Sequence, residues 1–537
     1  MLRKIRIALA ALFFTLLTLL FLDFTGTVHA WFGWMAKVQF LPALLAANFI
    51  VVGVLLVLTL LFGRIYCSVI CPLGVMQDIF GAAGRRSRKN RYGYSPAVSW
   101  LRYGMLAVFI VSLIAGAGLA IHKIALLIAP YSAFGRIVSN LFAPLWQAGN
   151  NLLAYIAARI DSYAFYSVDV WVKSVSTFAV AAVTFIVIGT LAWRNGRTWC
   201  NTVCPVGTVL GFFARFSLFR PVIDTSKCNA CGLCARNCKA ACIDPKAHEI
   251  DYSRCVACMD CLDQCRHGAI SYKRRELKRA DKTTVETTTV RPTSAAAQQP
   301  TGAKTVAPTT AASTTASSTA VQNPTVESGI SRRKFLSLTA MFAATAAAEA
   351  QEKKVDGGLA VIVDKKIPER QTRIVPAGSG SIRHFAAHCT GCQLCVSVCP
   401  NGVLRPSSNI ATLMQPEMSY ERGYCRPECT KCSEVCPAGA IVRIDAAEKS
   451  STQIGRAVWV KENCVPLTDG VECGNCARHC PSGAIVMVPS DPSDENSPKV
   501  PVVNTERCIG CGACENLCPA RPFSAIYVEG NENHRTV

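Results

Sequence analysis

Apolar positions gather into four long runs within the first 200 residues: Ile7–Leu22, Phe40–Phe62, Met105–Ile121 and Val175–Trp193. A helix needs ~20 mostly apolar residues to cross a bilayer. Each run therefore predicts a membrane span, the alternative being buried helices of a soluble domain. Charge orients the spans. Arg64, Arg85, Arg86, Arg88, Lys89, Arg91 and Arg102 lie between the second and third runs, against Lys37 alone between the first and second. Short loops rich in Lys and Arg stay cytoplasmic. The N-terminus and the 64–102 loop are thus predicted cytoplasmic, and His122–Lys173 periplasmic. That outer segment holds shorter apolar runs, Ile124–Pro130 and Leu141–Trp146, which lie in the interface or re-enter.

The pattern then changes. Residues 226–275 are rich in cysteine, and a basic stretch follows from Lys273 to Arg279. The Thr/Ala/Ser/Pro tract over 283–330 reads as a disordered linker. Ser331-Arg332-Arg333-Lys334-Phe335-Leu336 and the mild apolar run after it resemble a twin-arginine export signal, placed internally. Ala348-Glu349-Ala350 looks like its cleavage site. The alternative is a basic anchor before a weak fifth span. Residues 351–537 form a second cysteine-rich part, expected in the periplasm.

Composition agrees with the spans: 51% of the 537 residues are hydrophobic and 17% charged, with mean hydropathy +0.28. The net charge of +21 sits largely beside the apolar runs, so no nucleic-acid partner is expected. The spans hold almost no interior charges of the kind a transporter needs. The 29 cysteines change the picture most.

They sort into motifs. Two C-x3-C-P pairs occur, Cys67/Cys71 and Cys200/Cys204. Two quartets follow, Cys228/Cys231/Cys234/Cys238 and Cys255/Cys258/Cys261/Cys265. The C-terminal part holds Cys389/Cys392/Cys395/Cys399 and Cys508/Cys511/Cys514/Cys518. Between these lie two spaced variants, Cys425/Cys429/Cys432/Cys436 and Cys464/Cys473/Cys476/Cys480. Only Cys242 is left over. Three cysteines at intervals of three wrap a loop around one small volume, as a [4Fe–4S] cubane requires, and the fourth ligates the partner cluster. This gives Cys228, Cys231, Cys234 and Cys265 to one cluster, and Cys255, Cys258, Cys261 and Cys238 to another. Six clusters account for the quartets. Zinc sites favour separated pairs or Cys/His mixtures. Disulfides in an exported part are answered by the twin-arginine route, which carries folded, cofactor-loaded proteins. Gly-Ala-Ile recurs after the fourth cysteine, at Gly268, Gly439 and Gly483, and predicts a turn into a short strand.

The usual proline after the fourth cysteine stands at Pro400, Pro437, Pro481 and Pro519, but Lys239 and Arg266 replace it in the first block. Their charge is expected to raise the reduction potential there. Cys242 is an alternative ligand to Cys238; spacing favours Cys238 and leaves Cys242 a bystander. The C-x3-C-P pairs point the same way from one helical turn. They are either four ligands of a seventh cluster, a redox-active thiol site, or reduced structural cysteines. Asp23, His29 and His122 fall near the outer face, as groups of a quinol site or as solvated interfacial residues. His384 and His388 read as surface residues, while His479 sits inside a cluster loop. No haem-attachment, dinucleotide or P-loop pattern occurs.

Four apolar runs, two C-x3-C-P motifs and a two-cluster block resemble the NapH/MauN-type membrane ferredoxins. A twin-arginine-like signal with four quartets resembles the NapG/MauM-type periplasmic ferredoxins. The resemblance implies a fusion of the two. Its expected fold is a four-span α-helical membrane domain (1–220), an α+β ferredoxin-like domain (221–275), a linker (276–330), the signal (331–350) and a four-cluster ferredoxin-like domain (351–537). It implies a multi-pass bacterial inner-membrane protein and a component of a quinol dehydrogenase. Electrons would pass from quinol to a periplasmic reductase or cytochrome. The competing function is a redox-sensing or assembly scaffold for a metalloenzyme. By analogy the first C-terminal quartet pairs with the fourth, and the second with the third.

Overall fold

Helix α1 (Leu2–Leu22) and helix α12 (Val175–Asn195) form from the first and fourth apolar runs, with 21 residues each. At 1.5 Å per residue each rises about 31 Å, the thickness of a hydrocarbon core. Among the described residues these two helices are long and apolar enough to cross a membrane. The computed structural model describes residues 1–87, 92–114, 122–275 and 363–537. The 276–330 linker and the 331–350 signal lie outside them. Apart from Val363, the described residues belong to one compact unit.

The second run is not one long helix. It divides into α4 (Phe40–Leu45) and α5 (Phe49–Phe62). Ala47 turns left-handed at φ 52°, and the Asn48 side chain caps α5 by accepting from Val51 N at 3.2 Å. An Asn oxygen satisfies a helix-start N–H that would otherwise lack a partner. The third run gives α8 (Ser99–Ile114), which starts ahead of Met105. Residues 115–121 lie outside the described part. Among the described residues, the second run is thus interrupted, and two of the four expected spans are helices long and apolar enough to cross a membrane.

Between α8 and α12 the chain folds back into the helical core. Helix α10 (Pro130–Ile137) is buried at every residue and packs on both α12 and α7 (Pro72–Ser87). Its Phe134 lies edge-on to Phe14 and Phe21 of α1, with ring centres 5.6 and 6.2 Å away. Such edge-to-face pairs add about 0.5–1.5 kcal/mol beyond their burial.

Each cysteine-rich block is built on antiparallel strand pairs. β1 (Phe219–Ile223) pairs with β4 (Ile270–Arg274), from Phe219↔Arg274 to Ile223↔Ile270, and so clasps the ends of the first block. β2 (Ile243–Asp244) and β3 (Glu249–Ile250) form a smaller pair within it. The C-terminal part holds three more: β5 (Leu404–Pro406) with β6 (Pro416–Met418), β7 (Thr452–Trp459) with β10 (Ile526–Thr536), and β8 (Ile485–Pro489) with β9 (Lys499–Val503). The Gly-Ala-Ile repeats turn at Gly268, Gly439 and Gly483, with φ 60°, 71° and 60°. Strands follow at Ile270 and Ile485, but not at Ile441.

The two blocks sit at opposite ends of α1. At its start, Arg3 Nε and Nη1 reach Asp260 and Asp263 of the first block at 2.9 and 3.1 Å. Near its other end, Phe21 and the Cys392 carbonyl both press on Gly135. A Cβ there would lie 2.4 Å from that carbonyl, so no side chain fits.

Candidate iron–sulfur centres

Three residues between thiols do not make a cluster loop unless the backbone reverses between them. In the regular quartets it does so at the residue before and the residue after the second cysteine. The pairs are Ala230/Gly232, Ala257/Met259, Gly391/Gln393 and Gly510/Gly512, all with positive φ. Alternating left-handed residues turn successive N–H groups inward, a concavity that suits an anionic group. Non-glycine residues held there are strained, which marks a backbone shaped by its site.

In the first block, Cys228, Cys231, Cys234 and Cys265 line one small cavity. Cys238, Cys255, Cys258 and Cys261 line a second. Cys242 belongs to this second cavity too. Its sulfur lies 3.5 Å from that of Cys238 and it also hydrogen-bonds Cys255. That places it as a hydrogen-bonding neighbour of two candidate ligands rather than a bystander. Lys239 is buried, and its Nζ binds Asp78 and Asp260 carboxylates at 2.9 and 3.1 Å. Its charge is therefore compensated, and the potential-raising effect expected of it is correspondingly reduced. Arg266 is exposed.

The two C-x3-C-P pairs converge. Cys67, Cys71, Cys200 and Cys204 are all buried, and their charges act on one another. α6 (Ile65–Val69) and α13 (Thr198–Thr202) carry the first cysteine of each pair; α7 and α14 (Pro205–Ala214) begin at the prolines. Two arginines cross between the halves. Arg64 Nη2 donates to the Cys200 carbonyl at 3.2 Å, and Arg197 Nη1 donates to the Cys67 carbonyl at 2.6 Å. Gly74 and Gly207 make room for them: a Cβ would lie 2.6 Å from Arg197 and 2.7 Å from Arg64. Arg64 also approaches Cys67 Sγ at 3.7 Å, and Gln77 Nε2 donates to Cys200 Sγ at 3.3 Å.

Spacing alone reaches the cysteines but not these partners. The signal for them is an arginine three residues before each pair and a glycine two after each proline. Arg64 Nε and Arg197 Nη2 are buried without a partner among the described residues. Unfilled donors beside four thiols fit a group that brings acceptor atoms.

In the C-terminal part the quartets pair as sequence neighbours. Cys436 acts on Cys389, Cys392 and Cys395. Cys399 lines a cavity with Cys425, Cys429 and Cys432. Cys518 acts on Cys464 and Cys476, and Cys473 joins them; Cys480 acts on Cys508 and Cys511. The expected first-with-fourth pairing is thus replaced by first with second and third with fourth. The reason is packing: helix Leu394–Ser397 lies on Lys431–Val435, and Asn475–Arg478 on Ala513–Leu517. Each trailing cysteine then enters its neighbour's cavity.

The two modules also touch. Cys425 N donates to Cys511 O at 3.0 Å, and buried Tyr420 Oη donates to Gly510 O at 2.7 Å. The first quartet meets the helical core through two hydrogen bonds. Asn140 Nδ2 donates to Gln393 Oε1 at 2.8 Å, and Lys173 Nζ to Val396 O at 3.1 Å.

All 29 cysteines are free. Burial pushes Cys392 and Cys476 up to about 11, and Cys258 and Cys511 up to about 12. Such thiols keep their protons unless a metal supplies the opposing charge. Cys71 and Cys204 are raised for the same reason. The other candidates bond locally: His384, His388 and His479 each place Nδ1 3.0 Å from a backbone carbonyl within five residues. The His122 side chain is outside the described part.

Comparison with known proteins follows the same division. A 4Fe-4S binding domain profile matches residues 44–91 and 175–223, the segments that carry the C-x3-C-P pairs. A 4Fe-4S dicluster domain profile matches 388–440 and 471–521. The chain is 24% identical over 203 residues to YccM of Escherichia coli, 37% of this chain and about half (47%) of that protein. It is 27% identical over 181 residues to the ferredoxin-type protein NapF of Escherichia coli, 33% of this chain and 99% of NapF. It is 32% identical over 164 residues to the methylamine utilization ferredoxin-type protein MauM of Paracoccus denitrificans, 30% of this chain and 73% of MauM. No solved structure matches. Cysteine loops of this geometry, two 4Fe-4S profiles and homology at this level make the chain a member of the ferredoxin-type iron–sulfur proteins, an electron-transfer family.

Proposed function

We propose that this protein is a membrane-bound electron carrier that takes electrons from quinol and delivers them to a periplasmic reductase or cytochrome. The observation that carries the reading is the presence of thiol sites at both ends of α1. Thiol sites run from the first block, through the four-thiol centre beside it, and resume at the first C-terminal quartet on the far side of the helical core. From there Cys425 and Cys511 join one module to the next. The 24 quartet cysteines hold six [4Fe–4S] clusters in this reading, and Cys67, Cys71, Cys200 and Cys204 hold a seventh. Bound clusters supply one-electron redox chemistry.

The chain's own residues do the rest. Cysteine thiolates fix the clusters, and burial keeps water from the C-x3-C-P thiols, whereas Cys231 of the first block is exposed. At the four-thiol centre, the Arg64 and Arg197 guanidiniums offset the negative charge of four thiolates in a place without solvent. Gln77 and Cys242 donate hydrogen bonds to sulfur, which favours the reduced state. α1 and α12 are assigned as spans, the first block to the cytoplasm and the C-terminal part to the periplasm. The test is reduction of the membrane-embedded protein by a menaquinol or ubiquinol analogue, followed by loss of iron–sulfur absorbance and by low-temperature EPR. Bleaching within seconds to minutes is expected. Centres that dithionite reduces but no quinol ever does would overturn the reading.

A further inference from the structure

Quinol oxidation releases protons as well as electrons, and the outer end of α1 carries a group built to take one. This inference rests on the quinol reading above. Asp23 follows α1 directly, with 2% of its side chain exposed. Its carboxylate accepts backbone N–H bonds from Thr25, Gly26, Val28 and His29 at 3.0, 2.8, 2.9 and 3.1 Å, and the Thr25 hydroxyl at 2.8 Å. Burial opposes its ionisation, but these bonds outweigh burial and hold it below the usual carboxylate range. Asp23 Oδ2 lies 3.0 Å from His29 Nδ1. An ionised carboxylate only accepts, so Nδ1 carries the hydrogen and Nε2 presents a lone pair. Nε2 is buried and has no partner among the described residues, and the imidazole is 8% exposed.

The surroundings suit a quinol. His29 lies on α2 (Thr27–Phe32), α3 (Trp34–Lys37) follows it, and Trp31 and Trp34 stand 79% and 55% exposed. Exposed indoles mark the membrane–water boundary. The second C-terminal quartet lies directly above. Lys431 Nζ is 3.5 Å from the Cβ position of Gly26, and Gly439 abuts Ala46. Burial first, then Lys431, keep the imidazole neutral, against the pull of Asp23; these are the two charges that face it.

We propose that His29 accepts a proton from quinol at this face, that Asp23 is its positioning residue, and that the Trp31–Trp34 edge is the approach for the quinone ring. One quinol hydroxyl proton passes to His29 Nε2, giving an imidazolium paired with Asp23. The second proton passes to water at the outer face. The two electrons leave singly to two oxidised [4Fe–4S] centres, the named acceptors, and quinone departs. The imidazolium then returns its proton to water.

The experiment uses the full chain in lipid nanodiscs. His29→Asn keeps an N–H beside Asp23 and removes Nε2; His29→Gln is the second variant. Iron content and dithionite-reducible centres are expected unchanged in at least one of them. Its rate of centre reduction by menadiol should fall about 10²-fold, and the rise of that rate between pH 5 and 8 should flatten. An azidoquinone photolabel on the wild-type protein, read by peptide mass spectrometry, should land within residues 24–40. That readout needs neither turnover nor a folded variant. A wild-type rate and pH profile in the variants, or a label confined to other segments, overturns the assignment of His29. If menadiol fails to reduce the wild-type protein at all, the quinol reading falls and takes this inference with it.

Discussion

What a titratable side chain does here is decided by its burial and its partners. Cys242 and Cys71 are both buried thiols, yet one hydrogen-bonds neighbouring sulfurs while the other is influenced by Cys67, Cys200 and Arg197. Lys239 stands where a proline is usual and has been turned to a structural use by two carboxylates. His534 shows burial acting alone. Both its ring nitrogens are buried without partners among the described residues, and desolvation depresses it to about 4. The unfolded ring titrates near 6.5. The folded state is therefore at full strength above about 6.5 and weakens as pH falls from there through about 4. Denaturation midpoints at pH 7.5 and pH 5 should differ more in the wild-type protein than in His534→Gln. An equal drop in both would remove His534 as the cause.

At the scale of elements, one buried ion network ties α1, α7, the turn after α12 and the first ferredoxin block together. Asp78 on α7 accepts from Arg197 Nε at 2.7 Å, Lys239 Nζ at 2.9 Å and Arg6 Nη1 at 3.2 Å. Asp260 joins it through Lys239 and Arg3. Buried charges of this kind are poor evidence of net stability, but removing one partner strands the others. Asp78→Asn should cost about 3–5 kcal/mol. The expected readout is faster amide exchange over residues 226–275, with β7–β10 unaffected; uniform protection in both regions would contradict the network's role. Opposed by burial, Arg197 and Lys239 hold the Asp78 carboxyl well below its usual range. Its contribution is present above about pH 4 and disappears as pH falls through the folded value. The break between α4 and α5 belongs to this scale too. One Asn inside an apolar run outweighs the hydropathy around it, because a cap satisfies a backbone donor.

At the scale of the whole molecule, the order of thiol sites follows from which quartets exchange their trailing cysteine. Iron analysis separates the arrangements. Cys389→Ala with Cys436→Ala should lose the same single centre as either change alone, about four irons. Cys389→Ala with Cys399→Ala should lose two. Loss of two centres in both double variants would restore the pairing expected by analogy.

The sequence by itself determined the things that act over a few residues. Triplet spacing set the cluster loops, since three thiols on one short reversing loop need no distant partner. Apolar runs set α1 and α12 for the same reason, as a helix satisfies its own backbone. The Gly-Ala-Ile turns were legible because only glycine enters their left-handed bend without strain. Tertiary structure decided everything that depends on convergence. Arg197 and Cys67 stand 130 residues apart in sequence, and only the packing of α6, α7, α13 and α14 brings their two halves together. The exchange of trailing cysteines, the compensation of Lys239 and the free Nε2 of His29 depend equally on packing, because spacing carries no information about which distant surface a side chain will meet.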